Sequence, residues 1–294
     1  MLKIRVPATS ANLGPGFDCL GLALDLWNEI SFEPADRITY HVTGEGADKL
    51  NNHPHNLLTN SFRRVYEVCE KKLPGVKIAA HNHILLSSGL GSSAAAIVAG
   101  LYGANELLGK PLDKNILLKL AVEAEGHPDN VAPALLGGLV VSAMNADEII
   151  TRRYEMPALT MVIVKPDMHW PTKVARSVLP NSVSRADAIF NIGRTTLVVD
   201  ALRNGDLELL QKVMDDRIHQ SYRMGHIPGC ENAWKAAREF GAAALSGAGP
   251  SIIAFVRPEA KEQARAAMLD AFKHKGVEAR SLFSHPSSVG VHVF

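Results

Sequence analysis

Residues 86–96 read Leu86-Ser87-Ser88-Gly89-Leu90-Gly91-Ser92-Ser93-Ala94-Ala95-Ala96, and the run continues as Ile97-Val98-Ala99. Glycines and small hydroxyl residues leading into alanines describe a loop that opens a helix. The first N–H groups of a helix have no partner within it, and the positive end of its dipole stands behind them. Such a loop is an anion site, and phosphate is the usual anion. Glycine lets the backbone come close to a ligand, while the serines add hydroxyls for phosphate or for Mg²⁺. No lysine follows Gly91, so the G-x-x-x-x-G-K-[ST] phosphate loop is absent. The plain alternative is a glycine turn with Ser92 or Ser93 as an ordinary N-cap.

The rest of the chain limits what could surround this loop. Its 294 residues suffice for one large domain or two ordinary ones, each with a core. The apolar fraction of 47% and charged fraction of 21% are those of a globular protein. A formal net charge of +1 gives no electrostatic reason to expect a nucleic-acid or membrane partner. Cys19, Cys69 and Cys230 are odd in number and widely spaced, which argues against a disulfide framework or a zinc cluster. The opening Met1-Leu2-Lys3-Ile4-Arg5-Val6 reads as a strand rather than a secretory leader. The apolar runs 94–104 and 132–144 are too short and glycine-rich to span a bilayer. A cytoplasmic protein is the expectation.

Alternation marks 2–6 as a strand, and Pro7-Ala8-Thr9-Ser10-Ala11-Asn12-Leu13-Gly14-Pro15-Gly16-Phe17-Asp18 breaks it with more polar groups than a turn requires. Residues 20–24 are a strand or short helix, 29–34 and 38–44 strands, 56–72 a helix, and 76–83 the strand feeding the phosphate loop. The helix after that loop ends near Gly109, and Asp113 caps the next one, which places Glu123 and Glu125 at opposite edges of its apolar stripe. Glu125 lies in the last turn, where the helix dipole disfavours a carboxylate by about 0.3–1 kcal/mol, a cost that a nearby cation would reverse. Beyond a boundary at 156/157, residues 159–165 form a buried strand and 184–204 and 207–222 helices. Residues 242–245, 251–256, 259–274 and 277–283 follow as strand, strand, helix and strand.

Three glycine-bearing segments in this order, 7–24, 86–96 and Leu245-Ser246-Gly247-Ala248-Gly249-Pro250-Ser251, resemble the GHMP kinase family. The segments Glu125-Gly126-His127-Pro128-Asp129-Asn130-Val131-Ala132-Pro133 and Ser184-Arg185-Ala186-Asp187-Ala188 with Asn191 extend the likeness over essentially the whole chain, and it is nearest to the members that act on homoserine. The resemblance implies an α+β fold of two domains. Residues 1–156 would form an ATP-binding domain like ribosomal protein S5 domain 2, and residues 157–294 a ferredoxin-like domain. It also implies ATP and Mg²⁺ as cofactors, L-homoserine as acceptor in a step of threonine biosynthesis, and a homodimer. The rivals are a GHMP kinase for another small alcohol and a non-catalytic nucleotide-binding module of the same fold.

Residue roles follow from the same likeness. Asn56 would contact the adenine, and Leu85, Leu86, Ser87, Ser88, Gly89, Leu90, Gly91, Ser92, Ser93, Ala94 and Ala95 would hold the nucleotide. Leu85 stands where the family often has proline, a change expected to alter loop stiffness only. Ser92 or Ser93 with Glu125 would bind the metal, with Glu123 in reserve. Arg176 and Arg223 would take the acceptor carboxylate, a task suited to a planar guanidinium fork. Asp18 would take the ammonium, Asn12 and His127 would orient the hydroxyl, Thr172 would support it, and the Gly249 backbone would close the site. Asn130 stands where several relatives carry a basic Asp, and an amide is no base at neutral pH.

Overall fold

The computed structural model describes residues 1–51, 56–145 and 148–294. Alternation in Lys3-Ile4-Arg5-Val6 sends Ile4 and Val6 inward and the cations outward, and this stretch opens strand β1 (Leu2–Ala11). Strand β2 (Leu20–Pro34) runs antiparallel to it, with an irregular register at Pro7/Ala8, where proline lacks the N–H a ladder needs. β2 is one strand of 15 residues where the sequence suggests two elements. It stays continuous because its two ends pair with different neighbours, β5 (Leu139–Met144) and β4 (Val76–Asn82). Strand β3 (Thr39–Gly44) lies parallel to β4, and β6 (Ile149–Tyr154) extends the sheet from β5.

After the one-turn helix α1 (Ala47–Leu50), helices α2 (Leu57–Val68), α3 (Ser92–Leu107), α4 (Lys114–Glu125) and α5 (Pro128–Leu136) pack with this sheet around one apolar cluster. α2 is amphipathic and buries Leu58, Phe62, Val65 and Tyr66. α3 has no polar face to spare: Ala94, Ala95, Ile97, Val98, Leu101 and Ala104 are all buried, so the helix lies inside the layer. Asp113 caps α4 as its sequence predicts, accepting from the N–H groups of Asn115 and Ile116.

The second sheet is antiparallel, in the order β10 (Ala279–Ser284), β7 (Thr160–Pro166), β9 (Ile252–Val256), β8 (Gly241–Leu245). Counted along the chain this is 4-1-3-2, the order of a ferredoxin-like unit. Both faces are covered, and the period of two shows which residue goes where. Met161, Ile163, Ile253 and Phe255 join the cluster shared with the first sheet and with α7 (Arg185–Asn204) and α8 (Leu207–Val213). Val162, Val164, Ile252 and Ala254 join a second cluster under α10 (Cys230–Arg238) and α11 (Lys261–Lys273).

Three features depart from the sequence reading. The helix expected over 207–222 ends at Val213 and resumes as α9 (Gln220–Met224). Its interruption is the carboxylate of Asp216, which accepts from the N–H groups of Ile218, His219 and Gln220 and so caps a new start. Short helix α6 (Thr172–Ser177) and helix α10 fall in stretches with no such expectation. The end of the chain also leaves the second sheet. β11 (His292–Val293) pairs with β1, and Pro286 bridges to Leu24, so the tail lies along the first sheet. The 156/157 boundary itself falls between β6 and β7, which lie in different sheets. Among the described residues, no helix is long and apolar enough to cross a membrane.

Candidate active site

The loop 86–93 is held from two sides. Thr9 of β1 donates its N–H to the Leu90 carbonyl, and Ser251 donates its N–H to Ser88. Ser246 donates its hydroxyl to the Gly89 carbonyl and pairs with the hydroxyl of Ser10. Ser88 is buried and ties the loop to itself, donating to the Leu85 carbonyl and accepting from the Leu90 N–H. A Cβ on Gly89 would collide with the Ser246 carbonyl, and one on Gly91 with the Thr9 hydroxyl, so close approach as well as positive φ demands glycine there. Gly91 is the N-cap of α3 and offers no capping side chain. The first N–H groups of α3 therefore remain for an anion.

Glu125 faces this helix start. At the C-terminal turn of α4 it is the carboxylate the dipole disfavours, yet it accepts a 2.8 Å hydrogen bond from Ser93 in the first turn of α3, where a dipole favours negative charge. Of the two candidate serines, Ser93 thus meets the carboxylate. Glu123 sits 3.7 Å from Arg64 on the outer surface, away from the loop. A hydroxyl and a carboxylate are oxygen donors, the set a hard cation such as Mg²⁺ takes, and the pair fits that ion.

One cleft of about 580 Å³ joins the loop to the turn 245–251 and to α6 and α9. At one end its wall is largely apolar, with Val6, Ile30, Leu57, Leu58 and Ala80 beside Tyr40 and Asn56. Asn56 caps α2 with its Oδ1 and also hydrogen-bonds the Tyr40 hydroxyl, whose pKa burial raises. At the other end lie Asn12, Asp18, His127, Asp129, Asn130, Thr172, Arg176 and Arg223.

This second end is built from paired charges. Arg176 grips Asp18 with both terminal nitrogens, at 2.7 and 3.1 Å. Burial works against the Arg176 charge, but the hydrogen bond and charge of Asp18 outweigh it and raise its pKa. Arg223 is 1% exposed, and burial and then the Arg176 charge bring it down to about 10. Buried Asp129 accepts from His127 Nδ1 at 2.6 Å and from Asn130 Nδ2 at 3.2 Å. Burial would lower His127, but Asp129 more than offsets it, so the ring is raised and holds its proton further into neutral pH. Asn12 donates to the Gly247 carbonyl and accepts from the Asp18 N–H, which fixes the left-handed loop that presents Asp18.

Sequence comparison meets this geometry at both ends. The family model for the GHMP kinase N-terminal domain matches residues 56–138, and that for the GHMP kinase C-terminal domain matches 198–274. A homoserine kinase of Moorella thermoacetica is 44% identical over 95% of both chains, and one of Desulfitobacterium hafniense is 41% identical over the full length of both. The crystal structure of a homoserine kinase from Cytophaga hutchinsonii superposes with a TM-score of 0.89 at 32% identity, covering 100% of this chain and 97% of that one. The chain belongs to the GHMP kinase family.

For a GHMP kinase, the structure brings the expected residues together with three exceptions. Leu90 and Ala94 are fully buried in the core, and Leu85 is half-buried beside it, so none of the three turns a side chain into the cleft. What they offer a nucleotide is backbone. Leu86, Ser87, Ser88, Gly89, Gly91, Ser92, Ser93, Ala95 and Gly249 line the cleft as expected. Sequence reasoning missed Thr9, whose hydroxyl fixes the Asn130 amide at 2.8 Å. It also missed Phe17, with the Arg176 and Arg223 guanidiniums 5.6 and 5.2 Å from its ring. Phe17 was signalled only by its place beside Asp18, whereas the partner of Thr9 lies 121 residues away and left no local mark.

Proposed function

We infer that this GHMP kinase transfers the γ-phosphoryl group of ATP to the side-chain hydroxyl of L-homoserine, giving O-phospho-L-homoserine. The observation that carries the reading is that one cleft holds an uncapped helix N-terminus at one end and Asp18, Arg176 and Arg223 at the other. A triphosphate fits the first. The second matches an amino acid: a carboxylate for the guanidiniums and an ammonium for Asp18. Mevalonate has no amine to offer Asp18, so an amino-acid alcohol suits the charges better. Ser93 and Glu125, with Ser92 beside them, would hold Mg²⁺, which when bound neutralises phosphate charge. We place the nucleotide with residues 1–156 and much of the acceptor site with 157–294. Exposed Ile189 and Ile192 on α7 favour a homodimer, and the cytoplasm is the proposed location.

A loose phosphoryl-transfer transition state asks for alignment and charge more than for a strong base. Asn130 cannot serve as one, and both ends of its amide are already engaged by Thr9 and Asp129. Asp129 is enclosed by His127 and Asn130 and holds the imidazole in place. The hydroxyl proton therefore leaves with the transferred phosphoryl oxygens or to solvent, while His127 and Asn12 orient the acceptor oxygen.

Three measurements check this. An ADP-release assay across homoserine, mevalonate, galactose and shikimate should give turnover with homoserine alone, and preference for any other alcohol refutes the acceptor assignment. Asp129→Asn should keep kcat within about tenfold, less than the roughly hundredfold or more that a general base contributes. In the same variant the His127 titration, followed by NMR, should move to lower pH, because the charge that raises it is gone. A collapse of kcat at unchanged KM would instead make Asp129 the base.

A further inference from the structure

Arg223 is almost wholly enclosed, and its partners determine which of its nitrogens faces the cleft. Nε donates to the Ala175 carbonyl at 3.0 Å. Nη1 donates to Nδ1 of His219 at 3.1 Å and, more weakly, to the Gly247 carbonyl at 3.4 Å. Nη2 has no hydrogen bond to any described residue. With Nε and Nη1 fixed on opposite flanks, the planar group has one rotation open to it, and Nη2 is the donor left over for a ligand.

The His219 contact also fixes the state of that ring. A guanidinium has donors only, so Nδ1 must be the acceptor and carries no proton. The neutral ring then bears its hydrogen on Nε2, which donates to the Gly14 carbonyl at 2.8 Å. Burial and the Arg223 charge both work against protonation, while nearby Asp216 and the more distant Asp18 work for it. Asp216 is itself committed, accepting from three backbone N–H groups and from Asn191 Nδ2. Phe17 stacks on the imidazole at 5.2 Å and closes its other face.

We propose that His219 is a positioning residue for the acceptor carboxylate: as a neutral, Nε2-protonated imidazole clamped between Gly14 and Phe17, it holds Arg223 in the rotation that presents Nη2 to the cleft. The proposal rests on the reading of Arg223 as the carboxylate group. It adds a residue that never touches substrate yet sets acceptor affinity. A ring with a proton on Nδ1 would set N–H against N–H and release the guanidinium.

The test compares His219→Asn, whose Oδ1 can still accept from Arg223, with His219→Leu, which cannot. Losing the shorter of the two contacts that orient Nη1, and keeping only the 3.4 Å one to Gly247, should raise the homoserine KM of the leucine variant about tenfold or more, with ATP KM and kcat within about threefold. The asparagine variant should lie near the wild type in all three. Equal rises in both KM values, or an asparagine variant as impaired as the leucine one, overturns the proposal. If the leucine variant does not fold, nitrogen NMR of the wild-type imidazole decides: an Nδ1-protonated or charged His219 at neutral pH overturns it, and the Nε2–H tautomer supports it. A wild type that releases no ADP with homoserine refutes the acceptor reading instead, which keeps the two failures apart.

Discussion

Glu125→Gln should lower kcat by about a hundredfold or more, the scale of losing one preorganised charge at a phosphoryl-transfer centre. The substitution keeps shape and hydrogen-bonding capacity, so Ser93 retains a partner at the start of α3. What it removes is one full negative charge between the C-terminus of α4 and the N-terminus of α3. The two dipoles act on that charge in opposite directions, each by about 0.3–1 kcal/mol, so thermal stability should hardly move. A large loss of turnover at unchanged melting temperature is therefore the signature of a metal carboxylate. Titrating Mg²⁺ refines the result, since the variant should need far more of the ion to reach half its maximal rate. Full activity in Glu125→Gln would remove Glu125 from the metal site. Glu123→Gln serves as the control, because its carboxylate faces Arg64 on the outer surface and should change neither number.

Local rules made much of this architecture legible before any coordinates. The loop 86–93 and the helix it opens were readable because glycines, hydroxyls and alanines state a backbone geometry and a helix start within a dozen residues. The Asp113 cap and the strands of the second sheet were readable for the same reason: cap and period are short-range properties. Features that depend on distant partners were not. β2 is one strand only because β4 and β5 share its length, and nothing within 20–34 records that. The break after Val213 depends on Asp216 turning its carboxylate onto backbone N–H groups, where a helical wheel sees one more polar residue. The return of His292–Val293 to β1 spans almost the whole chain. In the site, Asp18 and Arg176 are 158 residues apart, and that they hold each other in the free protein was invisible from either motif.

That mutual grip sets the terms for Arg223→Leu, whose effect should fall on one substrate. A zwitterion entering the acceptor end must part Asp18 from Arg176, matching its ammonium to one and its carboxylate to the other, so part of its binding replaces an ion pair already made. Arg223 is different. Its Nη2 has no protein partner to give up among the described residues, and its site is buried, where a charge-assisted hydrogen bond is strongest. Deleting one such bond costs about 1.5–3 kcal/mol, so the homoserine KM should rise roughly ten- to 150-fold while the ATP KM stays within about twofold. Stability should fall as well, because the Ala175 carbonyl and His219 Nδ1 lose their donor in the interior, and each orphaned acceptor costs about 1–3 kcal/mol. Measuring both KM values at a temperature well below the lowered melting point separates the two effects. Arg223→Lys sharpens the result: it restores charge without the fork, and a single ammonium cannot serve Ala175, His219 and a carboxylate together. Its homoserine KM should stay high although its charge is intact. Should lysine restore wild-type affinity, or should both KM values rise alike in the leucine variant, the carboxylate must be bound elsewhere, and the geometry that aims Nη2 at the cleft would have no bearing on the acceptor.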